Sequence, residues 1–498
     1  MNHPLKSKLI LLSCTAISVN AVAQGIERPN IVLIVADDIG YGDLGCYGAT
    51  KIKTPNIDNL AANGVRFTNA YSEASTSSPT RYSLLTGEYA WRKGVGILAG
   101  DAPLSIDVER NTLPKQLKSV GYKSAIVGKW HLGLGSEDEP VDFNKKIKNG
   151  MKAVGFDYSY IFPATNDRVP TIYIENDKVV GLDKNDPIKV SYNKKIGNEP
   201  TGKENPNLLR LKHFQNHDGT IINGVGRIGW MTGGNEARWV DEEMTEVFLN
   251  KAVDFIDESY KKPFFLYYAT HTAHEPRIAS AKFRGHSEIG VYGDVIEEFD
   301  YCVGEIVATL KEKGILDNTI IIVTSDNGPM VKEGYLDGAA ERIENHDPFN
   351  GLRGTKYSLH EGGSRVPFVL AWGDKIDKSF LQEQRFCYMD LLATFADITN
   401  SDALLGSFHD SCSAAELFVN KEASTYRPYI VTQDNPGNIT IRKGDWKLIP
   451  LCRGYKEQLY NLKDDPQETN NLIENSQYSD IANELRAEVK RLKNSIVQ

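Results

Sequence analysis

The chain alternates short apolar runs with stretches of helical spacing. Asn30-Ile31-Val32-Leu33-Ile34-Val35-Ala36 is apolar at almost every position, the pattern of a strand covered on both faces. Residues 124–127, 264–268, 319–324 and 368–372 read the same way. Thr54-Pro55-Asn56-Ile57-Asp58-Asn59-Leu60 opens a helix that stops near Gly64, and residues 241–260 and 292–313 carry helical spacing. Strand and helix in alternation predict an α/β fold: a large, mostly parallel or mixed sheet flanked by helices. The pattern changes after about residue 425. Four short β-like pieces at 429–431, 439–441, 446–449 and 458–460 are separated by turn residues and followed by a helix over 480–494. That helix places Ile481, Leu485, Val489 and Leu492 on one face, so a small antiparallel sheet with a covering helix is expected over 426–498. Residues 157–240 are rich in Asn, Asp, Gly and Lys and read as a long irregular insertion, either a binding loop or a mobile one.

The first 23 residues stand apart from this pattern. Lys6 and Lys8 precede a mostly apolar stretch, and Ala21-Val22-Ala23 is a small-x-small site. A signal peptide cleaved before Gln24 is expected, with residues 24–425 as the larger domain. Leu11-Leu12-Ser13-Cys14 offers a lipoprotein alternative, but only Leu9 to Leu12 would form its apolar core. The stretch is too short and too interrupted by Ser, Thr and Asn to span a membrane. Export to the periplasm is the expectation, with the cell surface or the medium as other end points. The remaining cysteines are Cys46, Cys302, Cys387, Cys412 and Cys452. Their number is odd and no CxxC occurs, which removes a zinc ribbon and a thioredoxin-type site.

The 498 residues carry 57 Lys and Arg against 66 Asp and Glu, a net charge of −9. Loss of a leader with two lysines and no acid makes it −11. Nothing here supplies the broad cationic face of a nucleic-acid binder.

The chemistry gathers where strands end. The first strand runs into Asp37-Asp38 and the 319–324 strand into Ser325-Asp326-Asn327-Gly328. The 124–127 strand runs into Gly128-Lys129-Trp130-His131, and the 264–268 strand into Ala269-Thr270-His271-Thr272-Ala273-His274. In open α/β sheets ligands bind beyond the carboxyl ends of the strands, so all four clusters face one crevice. Asp37, Asp38, Asp326 and Asn327 offer oxygen ligands, which suit Ca²⁺ or Mg²⁺. Singly, each pair reads as a helix cap or a turn; together, adjacent carboxylates in a crevice need a cation to stay ionised. Ser77-Ser78-Pro79-Thr80-Arg81 reads as a helix start, with Ser78 as N-cap, Pro79 in the first turn and Gly87 just past the end. Ser77 then lies where free N–H groups favour an anion, with Arg81 one turn in.

Ser77-x-Pro79-x-Arg81-x4-Thr86-Gly87 resembles the signature of the type I, formylglycine-dependent sulfatases, in the alkaline phosphatase-like superfamily. Asp37-Asp38, Gly128-Lys129-Trp130-His131, Asp326-Asn327-Gly328 and Lys356-x4-Glu361-Gly362-Gly363 resemble its other motifs, in the same order. The family usually has cysteine at the position of Ser77; serine is the variant of many anaerobic bacteria. The resemblance implies conversion of Ser77 to formylglycine by a maturation enzyme. One hydroxyl of the hydrated aldehyde would attack sulfur, with Asp37, Asp38, Asp326 and Asn327 holding the metal. Arg81, Lys129 and Lys356 would hold the sulfate oxygens. His274, preferred over His271, would protonate the leaving alcohol, and His131 would help the second hydroxyl expel sulfate.

The implied substrate is an O-sulfated carbohydrate of glycosaminoglycan, mucin or algal origin, with a lean toward 6-O-sulfated galactose or N-acetylgalactosamine. Asn166, Asp167, Arg168, Arg227, Trp230 and Trp239 of the insertion are the expected sugar contacts. His213, His217, His286, His346, His360 and His409 receive no role beyond loop contacts. Two alternatives remain open: a phosphonate or phosphodiester hydrolase of the same superfamily, and a non-catalytic glycan binder with unmodified Ser77.

Overall fold

A computed structural model describes residues 28–343, 345–401, 410–424 and 427–495. The expected signal peptide and the expected domain boundary at 425 lie outside the described residues. Ten strands form the central sheet, in the order Phe380–Gln382, Val65–Phe67, Phe368–Trp372, Thr319–Ser325, Asn30–Ala36, Phe264–Ala269, Lys123–Lys129, Tyr158–Phe162, Ile174–Glu175 and Lys178–Val179. The five from Thr319–Ser325 to Tyr158–Phe162 run parallel, and Phe368–Trp372 runs antiparallel to its neighbours.

Asn30–Ala36 lies inside the sheet, paired through Val32 to both Leu266 and Ile321. That position explains its unbroken apolar run, because its side chains alternate between two covered faces. Ile31, Leu33 and Val35 join the layer that includes Leu84, Leu117 and Phe395. Val32, Ile34 and Ala36 join the opposite layer with Phe248, Phe255, Phe299 and Val303. The helices Ser77–Thr86, Leu113–Ser119 and Asp390–Ile398 thus cover one face, and Met244–Ser259 and Val291–Glu312 the other. No helix among the described residues is long and apolar enough to cross a membrane.

The stretch expected as an irregular insertion is more ordered than its composition suggests. It opens with a strand of the central sheet, Tyr158–Phe162, and continues in short pairs such as Lys189–Ser191 with Trp230–Thr232. Its Asn, Asp and Gly residues are the turns between them.

The four C-terminal strands, Ile430–Gln433, Ile439–Lys443, Trp446–Ile449 and Gln458–Asn461, form the expected antiparallel sheet in sequence order. The helix Ser479–Asn494 covers it through Ala482, Leu485, Val489 and Leu492. Ile481, expected on this face, is half-buried and packs against the same cluster, with Ala482 fully buried beside it. This sheet docks onto the larger body through a buried ion network. Lys447 Nζ lies 2.9 Å from both Glu361 Oε1 and Glu468 Oε1, and Glu361 Oε2 accepts from the Tyr71 hydroxyl at 2.6 Å. Burial alone would raise Glu361, but Lys447 and Arg442 outweigh it and hold its carboxyl well below the usual range. Replacing Lys447 by Met strands two buried carboxylates; K447M is expected to cost about 3–5 kcal/mol, read as a lower urea midpoint.

Glu73 is buried near the same junction. Its Oε1 accepts from the Met389 N–H at 2.7 Å, and burial pushes its carboxyl up to about 8. A folded-state value above the unfolded one means the fold binds this proton more tightly. Its share of stability is therefore complete in acid and is lost as pH rises from the ordinary glutamate range toward 8. E73Q, which needs no proton, is expected to melt a few degrees higher than wild type at about pH 8.5 and to match it near pH 4.

Candidate functional site

The carboxyl ends of four adjacent parallel strands meet at one place. Backbone bonds fasten the segments beyond them: Asp37 N donates to Thr272 O at 2.6 Å, Asp326 N to Ala36 O at 3.1 Å, and Thr270 N to Val35 O at 2.9 Å. The Lys129–His131 corner needs glycine before it, since Gly128 has φ +109° and a Cβ there would stand 1.9 Å from Ala269 O. Three non-glycine residues at the site also hold positive φ: Asp38 at 63°, His131 at 55° and Tyr357 at 74°. Such backbone is costly for bulky side chains and persists where surroundings dictate it.

The helix Ser77–Thr86 points its N-terminus at this cluster. It starts two residues earlier than expected: Thr76, not Ser78, occupies the cap position, and Gly87 closes the helix with φ 66° as expected. Ser77, 3% exposed, is in the first turn. Its Oγ accepts from Lys129 Nζ at 2.8 Å and lies 3.3 Å from Asp37 Oδ1 and 3.4 Å from Asn327 Oδ1.

Three buried cations balance the acids. Lys129 Nζ is 2.6 Å from Asp37 Oδ2 and 3.8 Å from Asp326 Oδ2. Lys356 Nζ bridges Asp38 Oδ2 and Glu333 Oε2, each at 2.9 Å. Arg81 grips Asp326 Oδ2 through Nε at 3.0 Å and Nη2 at 2.6 Å, and its Nη1 donates to the Tyr267 hydroxyl at 3.2 Å. Arg81, expected to hold sulfate oxygens and balance charge, fixes Asp326 through two of its nitrogens and Tyr267 through the third. Burial, then Asp326, raises the Asp37 carboxyl. Burial would raise Asp326 too, but Arg81 and Lys129 outweigh it and lower it. Burial also lowers Lys129, against the pull of Asp37.

The histidines differ in their settings. His274 Nδ1 lies 2.6 Å from Glu275 O, which makes it the N–H donor and leaves Nε2, 3.7 Å from Glu333 Oε2, facing the acids. His131 Nε2 lies 3.0 Å from Leu98 O, and its buried Nδ1 has no partner among the described residues. Burial, then Lys129, holds His131 far below the usual imidazole range, so it stays neutral. His271 is lowered to about 4 by burial and packs against Phe162 and Phe248.

The model of the sulfatase family matches residues 29–401, and that of the N-sulphoglucosamine sulphohydrolase C-terminal region matches 354–495. The chain belongs to the sulfatase family. An N-acetylgalactosamine-6-O-sulfatase of Bacteroides thetaiotaomicron is 44% identical over 94% of each chain. Human arylsulfatase A is 31% identical over 91% of this chain and 85% of its own. A solved structure from a study of glycosaminoglycan metabolism by Bacteroides thetaiotaomicron superposes with a TM-score of 0.91 at 44% identity, covering 94% of this chain and 99% of that one. The sulfatase is a sulfuric ester hydrolase that acts on carbohydrate sulfates.

The sulfatase divides its expected sugar contacts into two groups. Asn166, Asp167 and Arg168 lie beside the centre: Asn166 Nδ2 donates to His274 O at 3.3 Å and Pro276 O at 3.1 Å. Arg227 and Trp239 do not face it. Arg227 is fully buried and bonds Asp241 at 2.7 Å, while Trp239 packs in the core against Phe162 and Tyr173. Both brace the loop, with no face left for a sugar. Trp230 is half-buried in its strand pair, opposite Ser191.

Glu333 and Glu275 escaped the sequence reading. Glu275, buried beside His274, accepts from the backbone N–H groups of Glu333, Gly334 and Tyr335 at 3.0, 2.7 and 2.8 Å and so sets the turn that presents Glu333. A glutamate six residues beyond Asn327 carries no local signal; only the fold gives it its place.

The residues present fit a hard divalent cation. Asp37 and Asp38 bring carboxylate oxygens within 4.8 Å of one another. Asn327 Nδ2 donates to Asp38 Oδ1 at 2.7 Å, which turns its oxygen inward. The raised Asp37 carboxyl marks a shortage of positive charge that such an ion would meet. Added Ca²⁺ is expected to raise the melting temperature of the sulfatase in a concentration-dependent way, and D37N to abolish that rise. A melting curve indifferent to Ca²⁺ and Mg²⁺ would speak against the site.

Proposed function

We propose that the sulfatase removes the 6-O-sulfate from an N-acetylgalactosamine or galactose residue of a glycosaminoglycan, mucin or algal glycan. It acts after export, and after a maturation enzyme converts Ser77 to formylglycine. The observation that carries this reading is the placement of Ser77 Oγ, 2.8 Å from Lys129 Nζ, at a helix N-terminus facing Asp37 and Asn327. The similarity to the Bacteroides thetaiotaomicron enzyme supports the choice of sugar and position.

Formylglycine would supply a hydrated aldehyde, whose second hydroxyl gives a route for sulfate release that a serine hydroxyl lacks. A divalent cation, Ca²⁺ or Mg²⁺, held by Asp37, Asp38, Asp326 and Asn327 would draw charge from the sulfate oxygens. The chain's own side chains do the rest. Lys129 stabilises negative charge at residue 77, helped by the helix N-terminus. Lys356 brings its ammonium, shared between Asp38 and Glu333, to the sulfate side, and Arg81 keeps Asp326 ionised. His274, its ring fixed through Nδ1–H to Glu275 O, would carry a second proton on Nε2 and give it to the leaving sugar oxygen. Neutral His131 offers its free Nδ1 to a proton at the second step.

Three measurements test the reading. The residue-77 peptide from protein made in a host with the maturation enzyme is expected to show a mass two hydrogens below serine. Sulfate release from a panel of sulfated monosaccharides is expected at the 6-position of the galacto sugars. H274A is expected to lower kcat by about 10²–10⁴-fold. Release confined to the 2- or 4-position would end the assignment of position, and a plain serine mass would end the formylglycine assignment.

A further inference from the structure

We propose that Arg277 is a positioning residue for the general acid His274: one buried guanidinium locks the segment that carries the histidine and the loop that carries Glu333 into a single block. The inference rests on the sulfatase reading above and on His274 as its proton donor. Arg277 lies three residues beyond His274, and its side chain is 1% exposed, so it is closed to substrate. Any effect it has on turnover must pass through the groups it holds.

The guanidinium brackets the histidine. Its Nε donates to Ala273 O at 3.0 Å and its Nη1 to Glu275 Oε1 at 3.1 Å, the residues on either side of His274. The same Nη1 reaches Val331 O at 3.2 Å and Asp337 Oδ2 at 2.6 Å, and Nη2 donates to Met330 O. Glu275 closes the lock from the other side, because its Oε2 takes the N–H groups of Gly334 and Tyr335. The guanidinium carbon also sits over the Tyr292 ring, 5.1 Å from its centroid, and the Tyr292 hydroxyl donates to Asp43 at 2.8 Å. Only a planar group with donors on three nitrogens can meet two carboxylates and three carbonyls at once; a lysine ammonium in the same place cannot.

The bearing on catalysis follows from how His274 is aimed. Its ring is oriented through Nδ1 by a backbone carbonyl, Glu275 O, so the ring turns with the backbone that Arg277 holds. The loop on the other side of the lock presents Glu333, whose Oε2 is 3.7 Å from His274 Nε2 and 2.9 Å from Lys356 Nζ. Arg277 therefore sets both the proton donor and the carboxylate that faces it. In the step concerned, the Nε2 proton passes to the bridging oxygen as its bond to sulfur breaks and that oxygen keeps the electron pair. Such a transfer needs donor and acceptor at hydrogen-bond distance and suffers steeply from a misplaced donor. The charges around Ser77 come from Asp37, Lys129 and Asp326 on other strands, and none of these touches Arg277.

The experiment measures kcat and KM for a 6-O-sulfated galacto sugar and for a series of aryl sulfates with increasingly acidic phenols, in wild type, R277K, D337N, H274A and the H274A/R277K double variant, each with its melting temperature. R277K keeps the charge and loses the fork; D337N leaves the arginine in place and weakens one of its partners. A sugar alkoxide needs the proton from His274, whereas an acidic phenolate leaves without it. R277K is expected to lower kcat on the sugar by about 10- to 10²-fold with KM nearly unchanged, and the loss is expected to fade as the phenol grows more acidic. D337N is expected to follow the same trend at smaller size, and it carries the comparison if R277K melts early. On the H274A background R277K is expected to add little, since the two act as one unit. Equal losses on every leaving group, unchanged sugar turnover in both variants, or a full R277K loss on the H274A background would overturn the role of Arg277 and leave the sulfatase reading intact. Mature wild-type protein that releases sulfate from none of the substrates would overturn both.

Discussion

Everything at this centre depends on holding carboxylates out of water at the end of a hydrophobic sheet. Asp37, Asp38 and Asp326 are all 1% exposed or less. Such groups remain ionised only with positive charge at contact distance, and the chain supplies it through Arg81, Lys129 and Lys356. The parallel strands make the arrangement possible, because their ends deliver side chains from distant parts of the chain to one plane. The apolar runs that allow those strands to pair on both sides are therefore as much a part of the site as its charges.

The layers of the fold were legible in the sequence for the same reason. Asn30–Ala36 and Thr319–Ser325 are apolar on both faces because both faces are covered, and this leaves a local signature. Asp37, Asp38, Lys129, the two histidines, Asp326 and Asn327 follow directly on those runs, whereas Ser77 and Lys356 stood out through the motifs around them; the fold brings all of them together. What could not be read depends on contacts made across the fold. Tyr158–Phe162 looked like the start of a polar insertion, since its strand character rests on pairing with Lys123–Lys129. Trp239 and Arg227 looked available to a sugar, and only packing against Phe162 and ion pairing with Asp241 remove them.

Glu361 illustrates a motif residue whose work is mechanical. In the sequence it marks the distance to Lys356. In the fold it is the post on which the C-terminal sheet is mounted, through Lys447 and Tyr71. The glycines that follow it have an equally physical reason. A Cβ on Gly328 would stand 1.8 Å from Gly362 O, so the turn after Asn327 and the turn after Glu361 can touch only as bare backbone. Two motifs far apart in sequence are thus one packing contact.

The three cations of the centre differ in freedom. Arg81 is a planar fork clamped on Asp326 and Tyr267, and its charge stays where it is. Lys129 and Lys356 end in rotatable ammonium groups on flexible stems, each shared between two oxygen-bearing neighbours. Rotation about a lysine stem lets an ammonium change partners in a way that a clamped guanidinium resists. The centre thus combines one charge locked in direction by a planar fork with two whose direction is set by whichever oxygens lie nearest.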